Sequence, residues 1–82
     1  MSRSLSTIAA EITADYRAQG KPVHFSAVPY VQAMYGLNSL TDNYGYDDGR
    51  TVVLYALSNL TTWRGDTARR VKAELKAMLA AK

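Results

Sequence analysis

The sequence predicts an all-α fold, a small bundle of four short helices around a single core. Apolar residues recur at spacings of three and four in four separate segments, and turn-forming residues lie between these segments. The 82 residues leave room for one domain, 1–82, with one core. The composition, 48% hydrophobic and 21% charged, is typical of a globular chain.

The first helix is predicted over residues 4–19. Ser2 or Ser4 can cap its start, and Gly20 followed by Pro22 is a typical end, since glycine tolerates the left-handed cap and proline cannot continue the helix. One face carries the apolar stripe, which comprises Leu5, Ile8, Ala9, Ile12 and Tyr16.

The second helix is predicted over about residues 27–38. Ser26 is the expected N-cap, and Phe25 is then placed to pack on Tyr30 as a hydrophobic staple. Pro29 falls in the first turn, where its missing N–H has no cost.

Residues 41–49 are turn formers and predict the longest loop of the chain. Asp47 or Asp48 can cap the helix that follows, which is apolar on nearly all sides and is therefore expected to be the central one. The segment 51–57 also fits a strand by propensity. A helix is favoured because no second strand is evident to pair with it.

The fourth helix is predicted over residues 66–80, with Asp66 as an N-cap or first-turn acid. It carries the clearest apolar stripe of the chain, made of Ala68, Val71, Leu75, Met78 and Leu79. Its other face is rich in basic residues.

Catalysis and metal binding have little support in the sequence. His24 is the single histidine, there is no cysteine, and no glycine-rich phosphate loop is present. A calcium loop over residues 42–48 would need oxygen ligands at places that Tyr44 and Tyr46 occupy. The sequence therefore predicts a protein that is not an enzyme and that binds no cofactor and no metal.

The predicted compartment is the cytoplasm. The absence of cysteine fits a reducing environment. Glu11 and Asp15 interrupt the first segment, so it has no apolar signal-peptide core, and no apolar run approaches the roughly 20 residues of a membrane span.

The leading functional hypothesis is a binding module that contacts another protein. The sequence leaves open whether this module is also a homo-oligomer. Aromatic residues outnumber what so small a core can hide, and tyrosine and tryptophan are enriched at binding hot spots. The candidate protein-binding residues are Tyr44, Tyr46, Asp47 and Trp63.

The alternative is a nucleic-acid-binding protein. Basic residues outnumber acidic ones after Trp63, and the candidates on or beside the fourth helix are Arg64, Arg69, Arg70, Lys72 and Lys76. A helix-turn-helix would use Gly65 in its turn and the fourth helix for recognition. The same residues are also typical of a solvated helix face, with Asp66 and Arg70 as an i,i+4 pair.

The chain as a whole resembles short, mostly uncharacterised helical proteins of actinobacteriophages and their actinobacterial hosts. The similar segments are Met1-Ser-Arg-Ser-Leu5, Val28-Pro-Tyr30 with Ala33-Met34, Tyr44-Gly-Tyr-Asp47, Thr62-Trp-Arg-Gly65 and Ala68-Arg-Arg-Val-Lys-Ala-Glu-Leu75. The resemblance implies an accessory role in a phage or prophage. It implies no catalytic mechanism and no site residues.

Overall fold

The computed structural model describes residues 3–44 and 47–80, without the side chains of residues 43, 44 and 47. In this part the chain forms four helices: α1 Leu5–Ala18, α2 Val28–Tyr35, α3 Gly49–Ser58 and α4 Asp66–Ala80. Two short strands, β1 Asn43–Tyr44 and β2 Asp47–Asp48, pair antiparallel within the loop before α3. The predicted all-α bundle is confirmed, and residues 51–57 are helical.

Helix α1 begins and ends as its sequence predicts. The Ser4 hydroxyl accepts a hydrogen bond from the Thr7 amide at 3.2 Å, and Gly20 adopts a φ of 75° just beyond the helix. The whole apolar stripe of α1 is buried. Its leucine and isoleucine side chains form one side of the core, on which α2 and α4 pack.

Helix α2 differs from the prediction at both ends. Its N-cap is Ala27, and the Ser26 hydroxyl bonds to His24 Nδ1 at 2.7 Å instead of capping the helix. The predicted staple is wrong, because Phe25 is 81% exposed. The helix stops at Tyr35, since Gly36 is already its C-cap.

Helix α3 is capped by Asp48, whose carboxylate accepts a hydrogen bond from the Thr51 amide at 2.7 Å. Its first residue lies against the preceding loop, where a Cβ on Gly49 would come within 2.5 Å of the Ser39 carbonyl oxygen. The expectation that this helix is central is wrong: Leu54 is 50% exposed and Tyr55 is 52% exposed. Only one face of α3 enters the core.

Helix α4 closes the bundle by packing Ala68, Val71 and Leu75 into the core. An ion-pair network joins its outer side to α1. Arg3 binds the Glu74 carboxylate at 2.6 Å and lies 2.7 Å from the Glu11 carboxylate, which also receives Arg70. No helix in the described part of the chain is long and apolar enough to cross a membrane.

Candidate functional site

The loop that carries the predicted aromatic site is anchored on both sides. The Asp42 carboxylate accepts a hydrogen bond from the Asn38 amide at 2.9 Å, and its carbonyl accepts one from Gly49 at 2.7 Å. Tyr46 and the side chains of Tyr44 and Asp47 lie outside the described residues. A protein-binding role for these three residues stays a prediction.

Trp63, the fourth residue of that predicted set, is in the core and is only 2% exposed. Its indole Nε1 donates a hydrogen bond to Asp15 Oδ2 at 2.7 Å, and its ring stacks on Tyr16 at 5.7 Å between centroids. The assignment of Trp63 to an exposed binding patch is therefore wrong. A large ring with one polar atom is stable inside a protein once that atom has a partner, and Asp15 supplies it.

A cleft opens beside this buried ring, where the chain leaves α1. Residues 20–25 run from Gly20 across the end of the bundle without helical structure until the turn before α2. The cleft has a volume of about 570 Å³. Apolar side chains form most of its wall, and the polar residues Gln19, Lys21, His24 and Thr62 lie between them. We call it the apolar cleft, and its apolar lining residues are Tyr16, Pro22, Val23, Phe25, Val28 and Trp63.

Phe25 is the most exposed large apolar residue of the described chain. Its ring stacks on the His24 ring at 4.8 Å between centroids and otherwise faces solvent beside the cleft. An exposed phenylalanine next to a concave apolar wall is typical of a surface that a partner covers.

The hydroxyl oxygen of Tyr16, which lines the apolar cleft, is buried and has no hydrogen-bond partner among the described residues. Burial raises the pKa of Tyr16, and the nearby His24 backbone amide opposes this shift. Buried hydroxyls in folded proteins are usually satisfied. The Tyr16 hydroxyl is therefore an unsatisfied polar group that is enclosed beneath the wall of the cleft.

The apolar surface continues along α2. A smaller hollow of about 250 Å³ shares Val23 and Val28 with the apolar cleft and extends to Val31 and Tyr35. The Tyr35 hydroxyl donates to the Thr13 hydroxyl at 3.0 Å, which fixes the far wall of the hollow. The two hollows together form one extended apolar groove.

A second cleft, of about 340 Å³, opens on the other side of the Trp63 segment. We call it the basic cleft, because the cationic side chains of Arg64, Arg69 and Lys72 line it. Its other lining residues are Thr61, Trp63, Gly65 and Ala68. Lys72 Nζ donates to the Trp63 carbonyl at 2.6 Å and lies 5.9 Å from the centroid of the Trp63 ring. Burial lowers the pKa of Lys72, and the charges of Arg64 and Lys76 lower it further.

The structure separates the predicted nucleic-acid-binding residues into two groups. Arg64, Arg69 and Lys72 meet at the basic cleft, and Lys76 is close enough to affect Lys72 electrostatically. Arg70 instead pairs with Glu11 in the α1–α4 network. The expected Asp66–Arg70 pair is absent, because Asp66 contacts Arg69 at 3.2 Å.

A helix-turn-helix does not fit the connection between α3 and α4. Residues 59–65 separate the two helices, whereas the motif joins its helices by about three to four residues. The longer connection exists because Trp63 turns back into the core between the two helices.

No sequence pattern predicts the apolar cleft. The patterns place Phe25 in a hydrophobic staple and Tyr16 on the buried stripe of α1, and they do not indicate a cleft beside either residue. The sequence signal closest to the cleft is Phe25, an aromatic residue that follows the helix-breaking Gly20 and Pro22 and therefore lies outside the predicted helices.

The described residues contain no group of three His, Cys, Asp or Glu side chains that could hold a metal ion. Comparisons of the chain with protein-family models, curated proteins and solved structures found no match.

Proposed function

We propose that the protein is a non-enzymatic binding module that holds a segment of another protein in the apolar cleft. The observation that carries this proposal is the exposed Phe25 beside a cleft whose wall is mostly apolar. The phage or prophage accessory role and the cytoplasmic location expected from the sequence are compatible with such a module and belong to the same proposal.

The chemistry of the wall defines the kind of segment that fits. Covering Phe25 would remove a whole aromatic side chain from water, which contributes about 1.5–3 kcal/mol when burial is complete. The expected ligand is therefore a short peptide with an apolar anchor residue.

The cleft also has an internal reporter. The chain contains a single tryptophan, and Trp63 lines the cleft from below. A ligand that enters the cleft should change the emission of Trp63, whereas a ligand bound elsewhere should leave it nearly constant.

The test selects peptides from a random display library on the native protein and measures their affinity by Trp63 fluorescence. We expect selected peptides to carry an aromatic or aliphatic anchor and to bind at least about tenfold more weakly to Phe25→Ser, because each lost 1.4 kcal/mol is a factor of ten. Leu54→Ser is the matched control, since Leu54 is also exposed but lies on α3. Equal weakening in both variants, or selected peptides that ignore Phe25, would refute the cleft assignment.

A homo-oligomer would place a second copy over the same surface. Sedimentation of the native protein and of Phe25→Ser distinguishes this case: a dimer that dissociates in the variant makes the second copy the occupant. A monomer in both leaves a different protein as the partner.

The second candidate function is nucleic-acid binding, which the convergence of Arg64, Arg69 and Lys72 favours. Fluorescence anisotropy with labelled duplex and single-stranded DNA tests it at low and physiological salt. Binding through phosphates should weaken steeply as salt rises. Affinity that does not change with salt would exclude this candidate.

A further inference from the structure

The basic cleft holds more positive charge than its surroundings neutralise. Among the described side chains, no carboxylate lies within salt-bridge distance of Arg64 or Lys72. The nearby Asp15 accepts hydrogen bonds from Trp63 and Gln19 instead. Asp66 contacts Arg69 alone and is almost fully exposed, where an ion pair contributes little.

Burial and the crowding of like charges both lower the pKa of Lys72. After burial, the largest causes of its lowered pKa are the positive charges of Arg64 and Lys76. Like charges held together raise the free energy of the fold, and an anion between them would remove this cost.

The geometry of the cleft favours a compact, multivalent anion. Lys72 is fixed by its hydrogen bond to the Trp63 carbonyl, so its charge is preorganised. Arg64 and Arg69 supply planar donor groups that match oxygen pairs of a phosphate. Gly65, which also lines the cleft, has a φ of 116°, a conformation that favours glycine.

We propose that the basic cleft is a phosphate-binding site formed by Arg64, Arg69 and Lys72. The site does not depend on the peptide proposal, because it lies on the other side of the Trp63 segment. It specifies where the nucleic-acid candidate would hold a backbone phosphate, and a small phosphorylated molecule would present the same group.

The test titrates the ¹⁵N-labelled protein with inorganic pyrophosphate at low salt and follows the amide signals by NMR. We expect saturable shifts centred on residues 61–72. Arg64→Ala should weaken binding at least about tenfold, the loss of about 1.4 kcal/mol expected for a charge-assisted contact. Arg17→Ala is the matched control, since it removes the same charge from an exposed position on α1.

Two results would overturn the proposal. One is a set of small shifts at basic residues all over the protein that never saturates. The other is equal weakening in Arg64→Ala and Arg17→Ala, which would show a response to net charge alone.

A competing oligonucleotide then separates the two sources of phosphate. Displacement of pyrophosphate from the same amides by single-stranded or duplex DNA supports the site and assigns it to nucleic acid. DNA that fails to displace pyrophosphate supports the site for a small phosphorylated molecule and excludes the basic cleft from DNA binding.

Discussion

The two clefts differ in chemistry although Trp63 lines both of them. The apolar cleft has Phe25 at its edge and a hydroxyl without a partner in its wall. The basic cleft has three cations and a lysine held against the tryptophan carbonyl. The buried ring of Trp63 thus lies between an apolar surface and a charged one.

The largest expected effect comes from removing this shared ring. Trp63→Ala should lower the free energy of unfolding by about 3–5 kcal/mol, since it leaves a cavity and removes the indole hydrogen bond to Asp15. Both ligand affinities should fall together. Urea denaturation followed by circular dichroism measures the stability, and Trp63→Phe should lose less because it keeps most of the packing. A loss below about 1 kcal/mol in Trp63→Ala would contradict the core position of the ring.

The ion-pair network joins α1 to α4. Weakening this network tests whether both clefts depend on the same fold. Arg70 and Arg3 lower the pKa of Glu11, and Arg3 lowers that of Glu74, from their ordinary value of 4.5. A carboxylate with a lowered pKa stabilises the fold above its unfolded pKa, and this contribution is lost as pH falls through the folded pKa. The free energy of unfolding should therefore decrease as the pH falls below about 4.5.

Glu11→Gln should make this acid dependence shallower and lower the stability at pH 7 by about 1 kcal/mol. It should leave peptide and pyrophosphate affinities unchanged at neutral pH, because Glu11 lines neither cleft. Denaturation at several pH values measures the first effect. A selective loss of one ligand in this variant would contradict a shared scaffold.

Tyr16→Phe tests the enclosed hydroxyl beneath the apolar cleft. Removing a buried hydroxyl without a partner should leave the free energy of unfolding unchanged or raise it by up to about 1 kcal/mol. Peptide and pyrophosphate affinities should both stay the same, because the hydroxyl oxygen is enclosed and contacts neither ligand. A clear loss of stability would show that the hydroxyl is already satisfied within the protein.

Phe25→Ser should have the smallest effect on the fold, within about 0.5 kcal/mol, because the ring is exposed. Thermal denaturation monitored by circular dichroism measures it. A larger destabilisation would show that Phe25 packs on the core, and the loss of peptide binding in this variant would then have a structural cause.

The sequence by itself determined the helices. Apolar spacing predicted α1 and α4 to within a residue or so, since their stripes are long and bounded by Ser4, Gly20 and Asp66. The same local rules failed for α2. Ser26 and Phe25 stand where an N-cap and a hydrophobic staple are expected, but the chain forms neither. Short helices carry few apolar positions, so their ends depend on neighbours distant in sequence.

Only the tertiary structure decided what lies at the surface. Trp63 is buried, and Asp15, 48 residues away, accepts its indole hydrogen bond. Phe25, in the turn before α2, is exposed. The basic residues of α4 were readable from composition, but the structure alone divides them between the basic cleft and the α1–α4 network. Periodicity reports which face of a helix is apolar, whereas a cleft depends on the positions of several segments that no local pattern encodes.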